Sequence, residues 1–256
     1  MRAPEKAGGL MAIVHTEAFV LKAFRYGETS MIYRLLTRDR GVVPVIARGA
    51  RSPRSRLGAA VNAFRRLDVT YYDKPGREIQ TLSQAEVVAE HREIASSLER
   101  LDVAGTWFRF LRSILPDGAP AEPLYALAVI ALDRLERVPP SRLSRWETYH
   151  RAAAAGLLGL TPRLEACMAC ERPLPDRREL AFSIEDGGLV CLACVPRLRP
   201  LTGAEYALLA LYHHPDWTLL EELGEPGGDE RKVQALVHSF VAYHADVLPH
   251  PDLRAG

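Results

Sequence analysis

The sequence predicts a multi-domain α+β chain: a small N-terminal β-barrel, then an α-helical domain into which a four-cysteine module is inserted. Three observations carry this reading. Residues 13–88 hold five short runs of β-branched, aromatic and aliphatic side chains separated by turn signals. From about His91 the apolar residues recur every three or four positions instead. All four cysteines fall in two CxxC pairs.

Taken in order, Ile13 to Phe24 and Thr29 to Thr37 are the first two strands, and Arg38-Asp39-Arg40-Gly41 turns the second into Val42 to Ala47. Pro44 cannot donate to a ladder, which places that third strand at an edge or a bulge. Leu67 to Tyr72 alternates, Asp73-Lys74-Pro75-Gly76 is a turn, and Glu78 to Val88 begins as its partner strand. Five short strands with no helical repeat between the first few suggest a closed or partly open barrel. Ile94, Leu98, Leu101, Ala104, Phe108, Leu111 and Leu115 then line one helix face, which Pro116-Asp117-Gly118 ends. Further helices are expected over Pro123 to Arg137, Arg142 to Leu157, Ala204 to His213 and Asp229 to Ala245. The expected organisation is a disordered extension over 1–10, a barrel over 11–90, a helical domain over 91–162 and 201–256, and the cysteine module over 163–200.

The 256 residues, 48% hydrophobic and 25% charged, suit a globular chain with one large core or a few smaller ones. Nothing near 18 consecutive apolar residues occurs, and the first residues lack a signal-peptide core, so a cytosolic protein with no membrane partner is expected. No P-loop, HExxH or GxSxG pattern is present, so nucleotide hydrolysis and the common hydrolase mechanisms have no support. The eight histidines are scattered, and His213, His214 and His250, near prolines, read as surface or capping residues.

Cys167-Met168-Ala169-Cys170 and Cys191-Leu192-Ala193-Cys194 stand twenty residues apart. A CxxC turn presents two thiolates to one ion, and two such turns complete a tetrahedron, so one structural zinc per chain is expected. A site with four cysteines leaves no open position for a catalytic water. Between the pairs, Leu180, Phe182 and Ile184 alternate towards the turn Asp186-Gly187-Gly188, a hairpin that returns the second pair to the first. Disulfides, unrelated buried thiols, a lost metal and redox use are the alternatives.

Formal net charge is +1, but the window from Arg38 to Arg77 holds ten basic residues and three acids. Its centre is RGARSPRSR, Arg48 to Arg56, with four arginines and no acid. The segment could be a solvated loop. Against that, it leaves an expected edge strand, other cations (Lys22, Arg25, Arg34) lie on neighbouring strands, and Phe24, Tyr26, Phe64 and Tyr72 are interleaved. A basic groove with stacking rings holds single-stranded nucleic acid by its phosphates while accepting any base. Alternation puts Tyr72 on the face opposite Leu67, Val69 and Tyr71, which makes it the best stacking candidate; core packing is the better reading of the other rings. Gly49 and Pro53 keep the segment out of ladders and helices, and it reads as a flexible phosphate clamp at the barrel's rim.

The run AFVLKAFRYGETSMIYRLLTRDRGVVPVIARGARSPRSRLGAAVNAF resembles the N-terminal domain of the RecO recombination mediators, with the YGET turn, the TRDRG hairpin, the ARGAR loop and the SRLGAA continuation in order. The resemblance continues through Leu82 to Glu93, and the double CxxC fits the zinc-bearing members. It implies an oligonucleotide-binding (OB) barrel, a helical domain and a zinc module. It also implies a non-enzymatic protein that binds single- and double-stranded DNA, anneals complementary strands, and with RecR helps RecA displace single-strand binding protein, with RecR docking on the barrel-containing end. By position it points to Arg25, Arg34, Arg38, Arg48, Arg51, Arg54 and Arg56 as DNA contacts and to Cys167, Cys170, Cys191 and Cys194 as zinc ligands. Such a protein would be cytoplasmic and nucleoid-associated. A nuclease using the barrel for substrate would need clustered carboxylates for Mg²⁺, and the basic window holds only Asp39, Asp68 and Asp73. A zinc-braced interaction scaffold with incidental arginines is the third reading.

Overall fold

The structure is a computed structural model that describes residues 11–115, 121–174 and 179–245. The expected disordered extension over 1–10, the helix stop at Pro116-Asp117-Gly118 and His250 lie outside the described residues. By its internal contacts the chain divides into two compact units, residues 1–94 with 115–133, and residues 95–114 with 134–256.

In the first unit, β1 (Ala12–Tyr26), β2 (Ser30–Thr37), β3 (Gly41–Ala47), β4 (Arg66–Asp73) and β5 (Gln80–Ala89) close into a barrel in the order β1-β2-β3-β5-β4. The long β1 pairs with β4 through its first half and with β2 through its second, with a register shift between Val20 and Lys22 that lets one strand serve both. Alternation drives the barrel shut. Tyr33 and Leu35, Val45 and Ala47, and Leu67, Val69 and Tyr71 point inward into one buried cluster, because a period of two sends every second side chain to the same face. Pro44 sits where its missing N–H is harmless, since β3 meets β5 only at Val45 and Ile46.

Between β3 and β4 the chain forms a five-residue helix, α1 (Arg56–Ala60), capped by the Ser55 hydroxyl, which accepts from the Gly58 amide at 3.2 Å. After α2 (Arg92–Ser96) and α3 (Leu98–Ile114) comes α4 (Glu122–Leu135), most of which belongs to the barrel unit. Its Tyr125 ring meets Phe19 of β1 at 5.5 Å, and the Tyr125 hydroxyl donates to Glu17 at 2.8 Å. His91 fixes the same helix: its Nδ1 lies 2.5 Å from the Phe64 carbonyl oxygen and its Nε2 lies 3.2 Å from Asp133.

The second unit is built around α5 (Leu143–Leu157), which packs on α3, α6 (Gly203–Tyr212) and α8 (Gly228–Ala245). A short α7 (Thr218–Glu221) joins α6 to α8. Trp107, Trp146, Tyr149 and Trp217 surround His150, and burial pulls that imidazole's pKa down to about 3, which keeps it neutral. Arg145 is buried, but its guanidinium grips both Glu230 carboxylate oxygens at 2.7 Å and the carbonyls of Leu220, Leu223 and Gly224. Every donor of that fork therefore has work, the condition under which a buried ion pair is tolerated. His213, read as a surface or capping residue, is the C-cap of α6, its amide donating to Ala210 and Leu211, and its half-buried ring beside Phe240 has its pKa pulled to about 4 by burial. His214 does act at the surface, where its Nδ1 accepts from the Asp216 amide.

Candidate nucleic-acid interface and metal centre

The register of β1, β2 and β3 brings Arg25 beside Met31 and Met31 beside Ala47, so the end of β1 and the RGARSPRSR segment share one rim of the barrel. That segment is tied by hydrogen bonds and is not an open loop. It runs as successive hydrogen-bonded turns: the Ser52 amide donates to Gly49 and the Ser55 amide to Ser52. The Arg51 amide donates to the Thr29 carbonyl at 2.8 Å, and the Arg51 guanidinium donates to the Glu28 carbonyl at 2.9 Å. Gly49 supplies the positive φ of +66° that the turn requires. Ala50 is buried, and a Cβ on Gly58 would sit 1.8 Å from the Ala50 carbonyl oxygen, so the segment lies flat against α1. Arg56 is not in a loop at all but is the first residue of α1.

This anchoring sorts the arginines. Arg51 is committed to holding the turn. Arg25, Arg48, Arg54 and Arg56 are exposed, and none of their guanidinium groups makes an ion pair or hydrogen bond among the described residues. Arg34 does not join them: at 7% exposure on β2, opposite Pro44, it has little surface to offer a phosphate. Arg38 is exposed but lies at the other end of the β2–β3 hairpin, about 23 Å away by strand rise.

Two rings assigned to the core stand outside it. Phe24 is 38% and Tyr26 56% exposed, and Lys22 lies over the Phe24 ring at 4.3 Å. The signal was the period-two series Lys22, Phe24, Tyr26, which places all three on the outer face at the basic rim. Cross-strand pairing continues this face from Phe24 to Ile32, Ile46, Thr81 and Tyr72. Tyr72 is thus half-buried on the same row as Phe24, reached through β2, β3 and β5.

In the second unit, β6 (Leu180–Ser183) and β7 (Gly188–Cys191) form the expected hairpin, and β7 delivers Cys191. A Cβ on Gly188 would meet the Arg163 carbonyl oxygen at 2.4 Å, so only glycine allows that strand to lie against the chain before the first knuckle. The Met168 amide donates to Leu189, and the Cys191 amide donates to the Cys167 sulfur at 3.3 Å, which locks knuckle to hairpin. All four sulfurs fall within 4.8 Å of one another, with Cys170 and Cys191 at 3.9 Å. Four thiolates about 2.3 Å from one ion would be about 3.8 Å apart, so the donor set fits a tetrahedral metal. Burial opposes ionisation of Cys167, yet the amides of Cys191, Cys170 and Ala169 pull its thiol down to about 6. Hydrogen bonds to Cys191 and Cys170 push the Cys194 thiol up to about 12. The four cysteines could therefore hold a metal ion; they are free thiols rather than disulfides.

Comparison with known proteins finds matches for both parts of the chain. Residues 11–91 match the family described as Recombination protein O N terminal, and residues 95–254 match Recombination protein O C terminal. The chain is 33% identical over 234 residues to DNA repair protein RecO of Anaeromyxobacter sp. (strain K), covering 88% of this chain and 89% of that one. It is 31% identical over 237 residues to DNA repair protein RecO of Salinibacter ruber, covering 92% and 89%. Against the protein of that name from Pelobacter propionicus the identity is 34% over 209 residues, covering 78% and 83%.

Proposed function

The chain belongs to the RecO family of DNA repair and recombination proteins, and from that premise we propose that it is a non-enzymatic mediator that holds DNA on the barrel's basic rim. The observation that carries this is the group of exposed guanidiniums, Arg25, Arg48, Arg54 and Arg56, unpaired among the described residues and adjacent to exposed Phe24 and Tyr26. A solvated loop would leave such arginines free to swing or to find acids. Here a tied turn sets the backbone that carries Arg48, Arg54 and Arg56, so less chain order is lost when phosphates arrive than in an open loop. Phosphate contacts give affinity and no base information, while the rings of Phe24 and Tyr26 stack on any base.

On this reading the rim binds single- and double-stranded DNA, and two strands held without sequence preference can pair. The protein anneals complementary strands with no nucleotide, and with RecR it helps load RecA onto DNA coated by single-strand binding protein, in the cytoplasm at the nucleoid. No helix of the described residues is long and apolar enough to cross a membrane. The ion for the four cysteines is zinc: a closed set of four thiolates selects it, and the metal braces the fold rather than catalysing. Among the described residues the cysteines are also the one drawn-together group of metal-ligating side chains, which gives the nuclease reading no carboxylate cluster to build on. Two complementary oligonucleotides, bare or coated with single-strand binding protein, should pair faster with the protein present and without ATP. An ATP requirement, or cleavage of the DNA in Mg²⁺, would overturn the proposal.

A further inference from the structure

The barrel has a second opening that the nucleic-acid reading does not use. The ladder between β3 and β5 holds two residue pairs, so Gly41–Pro44 of β3 has no strand partner on that side among the described residues. A cleft of about 630 Å³ lies along this bare edge, walled by Val42, Val43, Pro44 and Ile79. Tyr71 also lines it; this residue is only 1% exposed, and its hydroxyl has no hydrogen-bond partner among the described residues. Burial, and then the charge of Asp73, raise the Tyr71 pKa above its ordinary value, so the hydroxyl stays protonated and can donate. At the mouth stand Asp73, Glu78 and Arg40, whose charged groups make no ion pair or hydrogen bond among the described residues.

We propose that this cleft docks an extended peptide segment of a partner protein, which adds a short strand to the bare edge of β3 and places a basic side chain against Asp73 and Glu78. A strand edge with unmet backbone groups is a template for another chain, and addition of a strand there is a standard mode of peptide recognition. Pro44 lacks one donor, which keeps the added strand short. The Tyr71 hydroxyl supplies a donor to a peptide carbonyl at the floor. Two carboxylates against one guanidinium favour a cation over a phosphate, so the occupant is a peptide and not a second length of nucleic acid.

In strand addition the main chain provides most of the affinity, so a short model peptide is a fair probe. The full chain, labelled with ¹⁵N, is titrated with acetyl-Thr-Val-Arg-Val-Thr-amide and with the same peptide carrying Glu for Arg. The arginine peptide should shift the amides of Val42, Val43 and Ile79 saturably and bind about tenfold more tightly than the glutamate peptide. The double variant Asp73→Asn, Glu78→Gln should weaken it about tenfold, and Tyr71→Phe about threefold, with the remaining spectrum unchanged as the check on folding. Shifts confined to other residues, equal binding of the two peptides, or undiminished binding by the double variant would each overturn the proposal. So would saturable shifts of the same three amides by oligothymidylate, which would assign the cleft to nucleic acid.

Discussion

Changing Arg48, Arg54 and Arg56 together to Ala tests the basic rim directly. Arg51 is left in place because its guanidinium holds the turn against Glu28, so its loss would mix a change of shape with a change of charge. Each phosphate neutralised on a single strand contributes about 0.7 to the slope of log affinity against log salt, so losing three contacts should flatten the slope by about 2. Extrapolated to about 1 M salt, where counterion release contributes nothing, parent and variant should converge; at about 0.1 M the variant should bind about a hundredfold more weakly. Fluorescence anisotropy with labelled oligothymidylate, between about 0.05 and 0.4 M salt, reads both quantities. Affinity should fall equally for oligonucleotides of different sequence. If the triple variant keeps the parent slope and affinity, the rim is a solvated surface and the DNA site lies elsewhere.

Phe24→Ala with Tyr26→Ala should weaken single-strand binding by about 1–3 kcal/mol per ring while leaving the salt slope unchanged, which separates stacking from charge in the same anisotropy experiment. Cys191→Ser should lower the metal content by elemental analysis from one equivalent and lower the thermal unfolding midpoint, while the folded fraction keeps its DNA affinity, because binding of the ion is coupled to folding of its module. Loss of DNA binding by a variant shown to be folded would move the metal module into the interface. His150 and His213 have folded pKa values of about 3 and about 4, below the ordinary 6.5, so the unfolded chain takes up the protons first. Their stability is therefore fully present above about pH 6.5 and should be lost as pH falls, at about 1.4 kcal/mol per pH unit for each group. Urea unfolding between about pH 7.5 and 4.5 reads this, and His150→Phe should remove about half of the slope. A pH-independent midpoint would mean that neither ring is held neutral by burial.

Much of the fold was legible because it is written in local periods. Runs of β-branched, aromatic and aliphatic residues between turn signals, with clean alternation in Leu67 to Tyr72, located the five barrel strands, helical periodicity located α3, α4, α5, α6 and α8, and the CxxC spacing with its intervening hairpin located the four-cysteine cluster. The helices that escaped, α1 and α7, have five and four residues and so barely one turn in which to show a period, and the break that separates α2 from α3 was read as one continuous helix. What the sequence hid was long-range. Nothing in RGARSPRSR reveals that Arg51 will reach a carbonyl 23 positions earlier, and so the segment was read as flexible. Arg34 looks like any strand cation until the register sets it opposite Pro44 in a buried position. Phe24 and Tyr26 carried the right alternation, but ring hydrophobicity argues for the core equally well, and only their place on the outer side of the β1–β2 pair decides against it.

The attachment of α4 to the barrel has a consequence for the order in which the protein is made. The last barrel strand ends at Ala89, but Tyr125 and Asp133, which cover Phe19 and engage His91, are translated only later, at the far side of a helix that belongs to the other unit. At about 5–20 residues per second a nascent barrel waits roughly 2–9 seconds on the ribosome with the Phe19 face bare. During that interval the emerging chain is a client for holding chaperones, and a pause or truncation between Ala89 and Asp133 releases a barrel that is complete in its strands yet sticky on its surface. A gene fragment ending at the last strand is for the same reason a poor cassette, whether moved by recombination or by cloning.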